Sequence, residues 1–172
     1  LEELPDLSGF AFLGTLNLSG CTSLKKISFK SEFKNLRELN LSGCEELESL
    51  DLEGLPALKH LHLGRCGKLE EIVNIGLSRG IETLHISGSK KLSKLEGLGE
   101  LTSLRTLYMS DCPQLGSLAG LGRMTSLESL KLFGCAGFKT IEDISALSSL
   151  RVLNVGGCRS LTELPSLDAL AA

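Results

Sequence analysis

Apolar residues recur along this chain in a fixed pattern, L-x-x-L-x-L-x-x-C-x-x-L-x-x-L, which returns seven times in phase. Cys21, Cys44, Cys66, Ser89, Cys112, Cys135 and Cys158 mark the phase, at steps of 23, 22, 23, 23, 23 and 23 residues. The first copy is Leu13-Leu16-Leu18-Cys21-Leu24-Ile27 and the last is Leu150-Leu153-Val155-Cys158-Leu161-Leu164. The L-x-L pair has period two, so both side chains point to one face of a short strand. One such strand cannot cover its own apolar face, but stacked copies bury each other in continuous columns. After the cysteine the apolar spacing becomes three, as in Leu95-Leu98-Leu101-Leu104 and Ile141-Ile144-Leu147-Leu150. That spacing fits a tight 3₁₀ return better than an α-helix. The predicted fold is an α/β solenoid with a parallel concave β-sheet and short 3₁₀ or irregular segments on its convex side.

The cysteine phase defines the turn that leaves each strand. A small side chain there is predicted to pack inward while its thiol weakly satisfies backbone groups of the turn. Glycine precedes it at Gly20, Gly43, Gly88, Gly134 and Gly157, which suits an unusual φ, whereas Arg65 and Asp111 break the preference. Stacked thiols cannot close a tetrahedron around zinc, and no C-x-x-C pair exists. Disulfides are also disfavoured, because rungs about 4.8 Å apart with parallel side chains match bridge geometry poorly. Six unpaired thiols point to a reducing compartment, cytoplasmic or nuclear.

Residues between the inward leucines face outward and form columns down the sheet. The central column reads Asn17, Asn40, His62, His85, Tyr108, Lys131 and Asn154, and His60 and Phe133 lie on the same face. Histidine, tyrosine, lysine and phenylalanine gathered on a rigid open surface resemble a binding hot spot. The candidate protein-binding residues are therefore His60, His62, His85, Tyr108, Lys131 and Phe133. A flanking column, Gly14, Arg37, Lys59, Glu82, Arg105, Glu128 and Arg151, alternates in sign from Lys59 onward and is expected to pair with itself. The acidic group Glu45, Glu46, Glu48, Glu70 and Glu71 and the basic Lys90, Lys91 and Lys94 fall on the loops after the strands.

Composition narrows the function classes. Hydrophobic residues make up 42 % with no Trp, one Tyr and six Phe, so the core must be aliphatic. A net charge of -3 argues against a nucleic-acid partner, and no apolar run approaches the roughly 18 residues of a membrane span. Gly97-x-Gly99 and Gly120-x-Gly122 lack the third glycine and crossover helix of a dinucleotide loop. His62 and His85 lack the third ligand a zinc site requires. The sequons Asn17-Leu18-Ser19 and Asn40-Leu41-Ser42 belong to the repeat itself. Cysteines on the core side and histidines on the outer side disfavour a Cys-His dyad. No enzyme and no cofactor is expected.

The repeat resembles the leucine-rich-repeat family over essentially the whole chain, which implies the horseshoe form of that fold and a protein partner on its concave face. L-E-E-L-P-D-L-S-G at 1–9, L-N-L-S-G-C-T-S-L at 16–24 and R-V-L-N-V-G-G-C-R-S-L-T-E-L-P at 151–165 resemble repeats of plant intracellular nucleotide-binding immune receptors. That resemblance implies a ligand-sensing or regulatory region of an intracellular signalling receptor. I-E-D-I-S-A-L-S-S-L-R-V-L at 141–153 is similar to cysteine-containing repeats of trypanosomatid proteins, some joined to RING domains. It implies the alternative, a substrate adaptor or scaffold in a larger assembly such as a ubiquitin ligase. L-E-E-L-P-D-L at 1–7 and L-T-E-L-P-S-L at 161–167 share one phase. Residues 1–172 are therefore expected to be a single array of seven rungs with partial repeats at both ends, a piece of a longer protein with flanking repeats or domains.

Overall fold

In the computed structural model, residues 2–5, 7, 9–29, 32–141 and 144–164 are described. Among these residues ten short strands follow one another: β1 (Thr15–Asn17), β2 (Lys26–Ile27), β3 (Glu38–Asn40), β4 (Ser49–Asp51), β5 (His60–His62), β6 (Glu71–Val73), β7 (Thr83–Ser87), β8 (Thr106–Ser110), β9 (Ser129–Lys131) and β10 (Val152–Asn154). The L-x-L pairs build a seven-stranded parallel sheet in the order β1-β3-β5-β7-β8-β9-β10. Its register aligns Leu16, Leu39, Leu61, Leu84, Leu107, Leu130 and Leu153 in one column. From Leu39 to Leu130 that column has no solvent exposure, because each leucine lies between the copies above and below it. The horseshoe-type solenoid expected from the repeat is the observed fold.

The convex side divides in two. In its later part, 3₁₀ turns occur at η1 (Ile75–Leu77), η2 (Leu98–Glu100) and η3 (Leu121–Arg123), as the spacing of three requires. Each is entered through a left-handed residue, Asn74 (φ 61°), Gly97 (φ 81°) or Gly120 (φ 82°). The paired glycines that superficially resembled a nucleotide loop are thus turn and packing positions. A Cβ on Gly120 would lie 2.8 Å from the Cα of Gly99, so the 3₁₀ turns stack backbone on backbone.

The earlier part adds a feature that period three does not describe. Strands β2, β4 and β6 form a second parallel sheet of three strands. Its source is a local change of spacing. Ile27-x-Phe29 and Leu50-x-Leu52 have period two, and all four side chains are buried. In the second rung the left-handed residue is Gly54 (φ 86°), four positions after Leu50. In later rungs it comes only two positions after Ile72, Leu95 or Leu118, which ends the extended stretch.

The cysteine turn follows the expected physics. The five glycines preceding the cysteine phase have φ between 69° and 78°, and Arg65 (φ 60°) and Asp111 (φ 54°) adopt the same conformation despite their side chains. All six cysteines are free. Thiols donate to backbone carbonyls of the preceding rung: Cys44 to Leu18 at 3.3 Å, Cys66 to Leu41 at 3.3 Å, Cys135 to Met109 at 3.5 Å and Cys158 to Leu132 at 3.0 Å. Burial pushes the Cys66 thiol up to about 12, so it stays protonated and able to donate. The Cys112 thiol is also pushed up, by its hydrogen bond with Cys135 and then by burial. Ser89 departs from the pattern: its hydroxyl is buried and has no hydrogen-bond partner.

Candidate functional site

Strand alternation places the six candidate residues on the outer face of the concave sheet. In β5, His60 and His62 flank the fully buried Leu61, with a burial pattern of half-buried, buried, half-buried. In β7 and β8, the same alternation turns His85 and Tyr108 outward between buried residues. Lys131 ends β9, and Phe133 lies two residues on, beyond the buried Leu132, with 52 % of its surface exposed.

Register converts sequence spacing into contact. Pairing sets His62 beside His85, His85 beside Tyr108, and Tyr108 beside Lys131. The His62 and His85 rings meet edge to face, with centroids 6.1 Å apart and planes at 81°. His85 and Tyr108 are closer, at 4.6 Å and 89°. The Lys131 ammonium stands 5.9 Å from the Tyr108 centroid, within the range of attraction to the ring quadrupole. Edge-to-face contacts orient a positive ring edge toward a negative face. The four side chains thus form one continuous strip across four strands.

His85 is the best-fixed member. Its Nε2 lies 3.1 Å from the Ser87 hydroxyl, a contact within hydrogen-bond range. Burial lowers its pKa below the usual histidine value, and the positive charge that His62 can carry lowers it further. At pH 7 the ring is therefore neutral, and it presents an apolar, polarisable surface rather than a cation. Ser87 was not among the residues singled out from sequence; its position two residues after His85 on the same strand face was the available signal.

Beside this strip the charge column pairs in couples rather than as an unbroken ladder. Lys59 binds Glu82 at 2.6 Å and Arg105 binds Glu128 at 2.9 Å. The Lys59 hydrogen bond and charge hold the Glu82 carboxyl below the usual carboxylate range. Loop charges pair across rungs as well, Lys68 with Glu46 at 2.6 Å and Lys91 with Glu70 at 2.8 Å. These exposed pairs consume charge locally and leave the half-buried ring strip as the chemically distinct part of the face.

Among the described residues no group of three or more His, Cys, Asp or Glu side chains converges as a metal site. No helix among them is long and apolar enough to cross a membrane.

The comparisons bear on the repeat fold. The chain aligns in fold with the leucine-rich repeat domain of the type III effector XopL, at a TM-score of 0.75 and 24 % identity, covering 99 % of this chain and 70 % of that one. Weaker similarity extends to two Listeria monocytogenes internalins. InlF aligns at a TM-score of 0.42 and 15 % identity, over 98 % of this chain and 69 % of that one. The functional domain of InlJ, described as including a cysteine ladder, aligns at 0.43 and 17 % identity, over 99 % of this chain and 51 % of that one. No curated protein sequence matches the chain. A family model described as a leucine-rich repeat region matches residues 26–168, and the chain belongs to the leucine-rich repeat family.

Proposed function

We propose that this chain is a protein-recognition array that holds its partner on the concave face, with His60, His62, His85, Tyr108, Lys131 and Phe133 as the contact surface. Leucine-rich repeat regions are in general protein-interaction modules rather than enzymes. The observation that carries the reading is the continuous strip His62–His85–Tyr108–Lys131, oriented by ring-on-ring contacts before any partner arrives. Side chains already ordered lose little freedom on binding, which is how a rigid surface gains affinity. Aromatic anchors near the middle of a face are also where binding energy concentrates.

At the finer level, we read the array as the ligand-sensing or regulatory region of an intracellular signalling or immune receptor, part of a longer chain with flanking repeats or domains. Six free thiols, several of them hydrogen-bonded in the core, support a reducing cytoplasmic or nuclear setting. A substrate adaptor of a larger assembly, such as a ubiquitin ligase, uses the same surface and differs in the neighbouring domain.

The test is affinity capture with the chain and with its H62A/H85A/Y108A variant, alongside thermal melts of both. The expected result is loss of the captured partner with an unchanged melting temperature. Retained capture by the variant overturns the assignment and moves the site to the convex side or the loop edge.

A further inference from the structure

Two residues of the sixth rung depart from what the repeat needs at their positions. Two residues after the central column the other rungs carry Ser19, Ser42, Gly64, Ser87, Ser110 and Gly156, all small, but the sixth carries Phe133. Its ring lies outside the buried core, with 52 % of its surface exposed. In the central column Asn17, Asn40 and Asn154 have a structural role: each Oδ1 accepts the backbone N–H two residues on, at 3.0 Å. Lys131 carries only donors and gives up that bond. Where a repeat breaks its own local rule twice in one place, a demand other than folding has prevailed.

Both side chains are held in position. The Phe133 ring leans onto the next rung, where glycine backbone leaves it room: a Cβ on Gly156 would stand 3.3 Å from its Cδ2, and one on Gly157 3.9 Å from its Cε2. The remainder of the ring is open. The Lys131 ammonium lies 5.9 Å from the Tyr108 centroid. No carboxylate among the described residues pairs with it, whereas Lys59, Lys68, Lys91 and Arg105 each hold one. Of the nearby acids, Glu128 is taken by Arg105 at 2.9 Å, and Asp111 stands over Gly134, where an added Cβ would collide with its Oδ1. Arg151, one rung further, also forms no ion pair among the described residues.

We propose that Phe133 and Lys131 form a two-point anchor for an extended partner segment that carries an aromatic residue and, two positions away, a carboxylate. This inference rests on the concave reading above and names the chemistry of its partner. Side chains two apart on an extended segment point the same way and stand about 6.6 Å apart, the spacing of Lys131 and Phe133 along their own chain. The partner's ring packs on the open part of Phe133. Its carboxylate meets the ammonium beside Tyr108, and a basic segment there meets like charge from Lys131 and Arg151. None of the six phenylalanines or the one tyrosine of this chain has an acid two positions away, so a second copy of these 172 residues cannot supply the segment.

The test is an amide NMR titration of the full chain with acetyl-Ser-Trp-Ser-Glu-Ser-amide. Shifts are expected at Tyr108, Lys131, Phe133 and Gly156, and much weaker ones with the peptide that has lysine in place of glutamate. Phe133→Ser and Lys131→Asn restore residues that other rungs carry, so both should melt no lower than the parent. They should weaken the glutamate peptide about tenfold and about threefold respectively. Lys131→Glu should reverse the preference toward the lysine peptide. Absence of shifts on this patch, equal binding of the two peptides, or unchanged affinity in Phe133→Ser and Lys131→Asn overturns the proposal. Capture of the natural partner that is lost in H62A/H85A/Y108A but kept in Phe133→Ser and Lys131→Asn leaves the concave reading standing and overturns this anchor.

Discussion

The two halves of the convex side share their leucine spacing as far as Leu50 and Leu95, then part in spacing and in structure. In the first half Ile27, Leu50 and Ile72 sit in strands of a second sheet, whereas in the second half their counterparts Leu95 and Leu118 lie outside any strand and lead into the 3₁₀ turns at Leu98 and Leu121. The concave sheet does not register the change; its register continues from Leu16 to Leu153 without a break. What differs is where the chain turns left-handed, at Gly54 four positions past Leu50 but at Gly97 and Gly120 two positions past Leu95 and Leu118. Two more extended residues allow a neighbour to pair, and two fewer force a tight turn. The rung with Ile72 contains both outcomes, a strand paired to β4 followed at once by η1, and it is there that the second sheet ends.

This contrast can be broken at several strengths. The largest effect is expected from emptying the core of either half. Leu52→Ala and Leu98→Ala each remove a fully buried side chain and should cost about 3 kcal/mol in urea unfolding. A cost under about 1 kcal/mol for one of them would show that its half does not share the continuous core. Glycine substitutions should separate strain from collision. Gly120→Ala meets both a left-handed φ of 82° and the Gly99 backbone at 2.8 Å, and should cost about 2 kcal/mol. Gly20→Ala, at φ 75° with open space around it, should cost about 1 kcal/mol, from strain alone.

A smaller gain is expected where the two halves meet. Ser89→Cys replaces an unpartnered buried hydroxyl with the thiol used in the other rungs, placed to donate to the Leu63 carbonyl of the rung before. Stability should rise by about 1 kcal/mol, read as a later urea midpoint with an unchanged slope. No rise would mean that the carbonyl acceptors on the other thiols contribute nothing.

The mildest effect is a pH dependence on the concave face. The folded pKa of His85 is depressed, so the unfolded chain binds more protons as pH falls below the ordinary histidine value. Its contribution is complete above about pH 6.5 and is lost as pH falls from there toward the lowered folded value. Imidazole NMR titration should place His85 below the ordinary histidine value, and His62→Ala should recover only part of the depression, because burial is its larger cause. Full recovery in that variant would assign the depression to the His62 charge instead.

Most of the fold was legible in the amino-acid order because each rung repeats one local instruction. Period two in L-x-L sets which side chains turn inward, and a glycine before five of the seven cysteine-phase positions permits the left-handed turn. Neither depends on the rest of the chain. The second sheet was also written, in Ile27-x-Phe29 and Leu50-x-Leu52, but the spacing of three in later rungs masked it. The candidate strip was legible as a column of residue types, and its members share the face that alternation assigns them.

The sequence alone therefore determined the repeat, the parallel concave sheet, the aliphatic core and the outward histidines, since side-chain direction follows from local spacing. Tertiary structure alone decided the partners of those groups. It brought the His85 ring to 4.6 Å from Tyr108, left the Ser89 hydroxyl without an acceptor, and ended the second sheet at β6. A residue's own spacing sets where its backbone and side chain point. Whether a hydrogen bond or ring contact completes them depends on what the neighbouring rung, about 23 residues away, presents at that height.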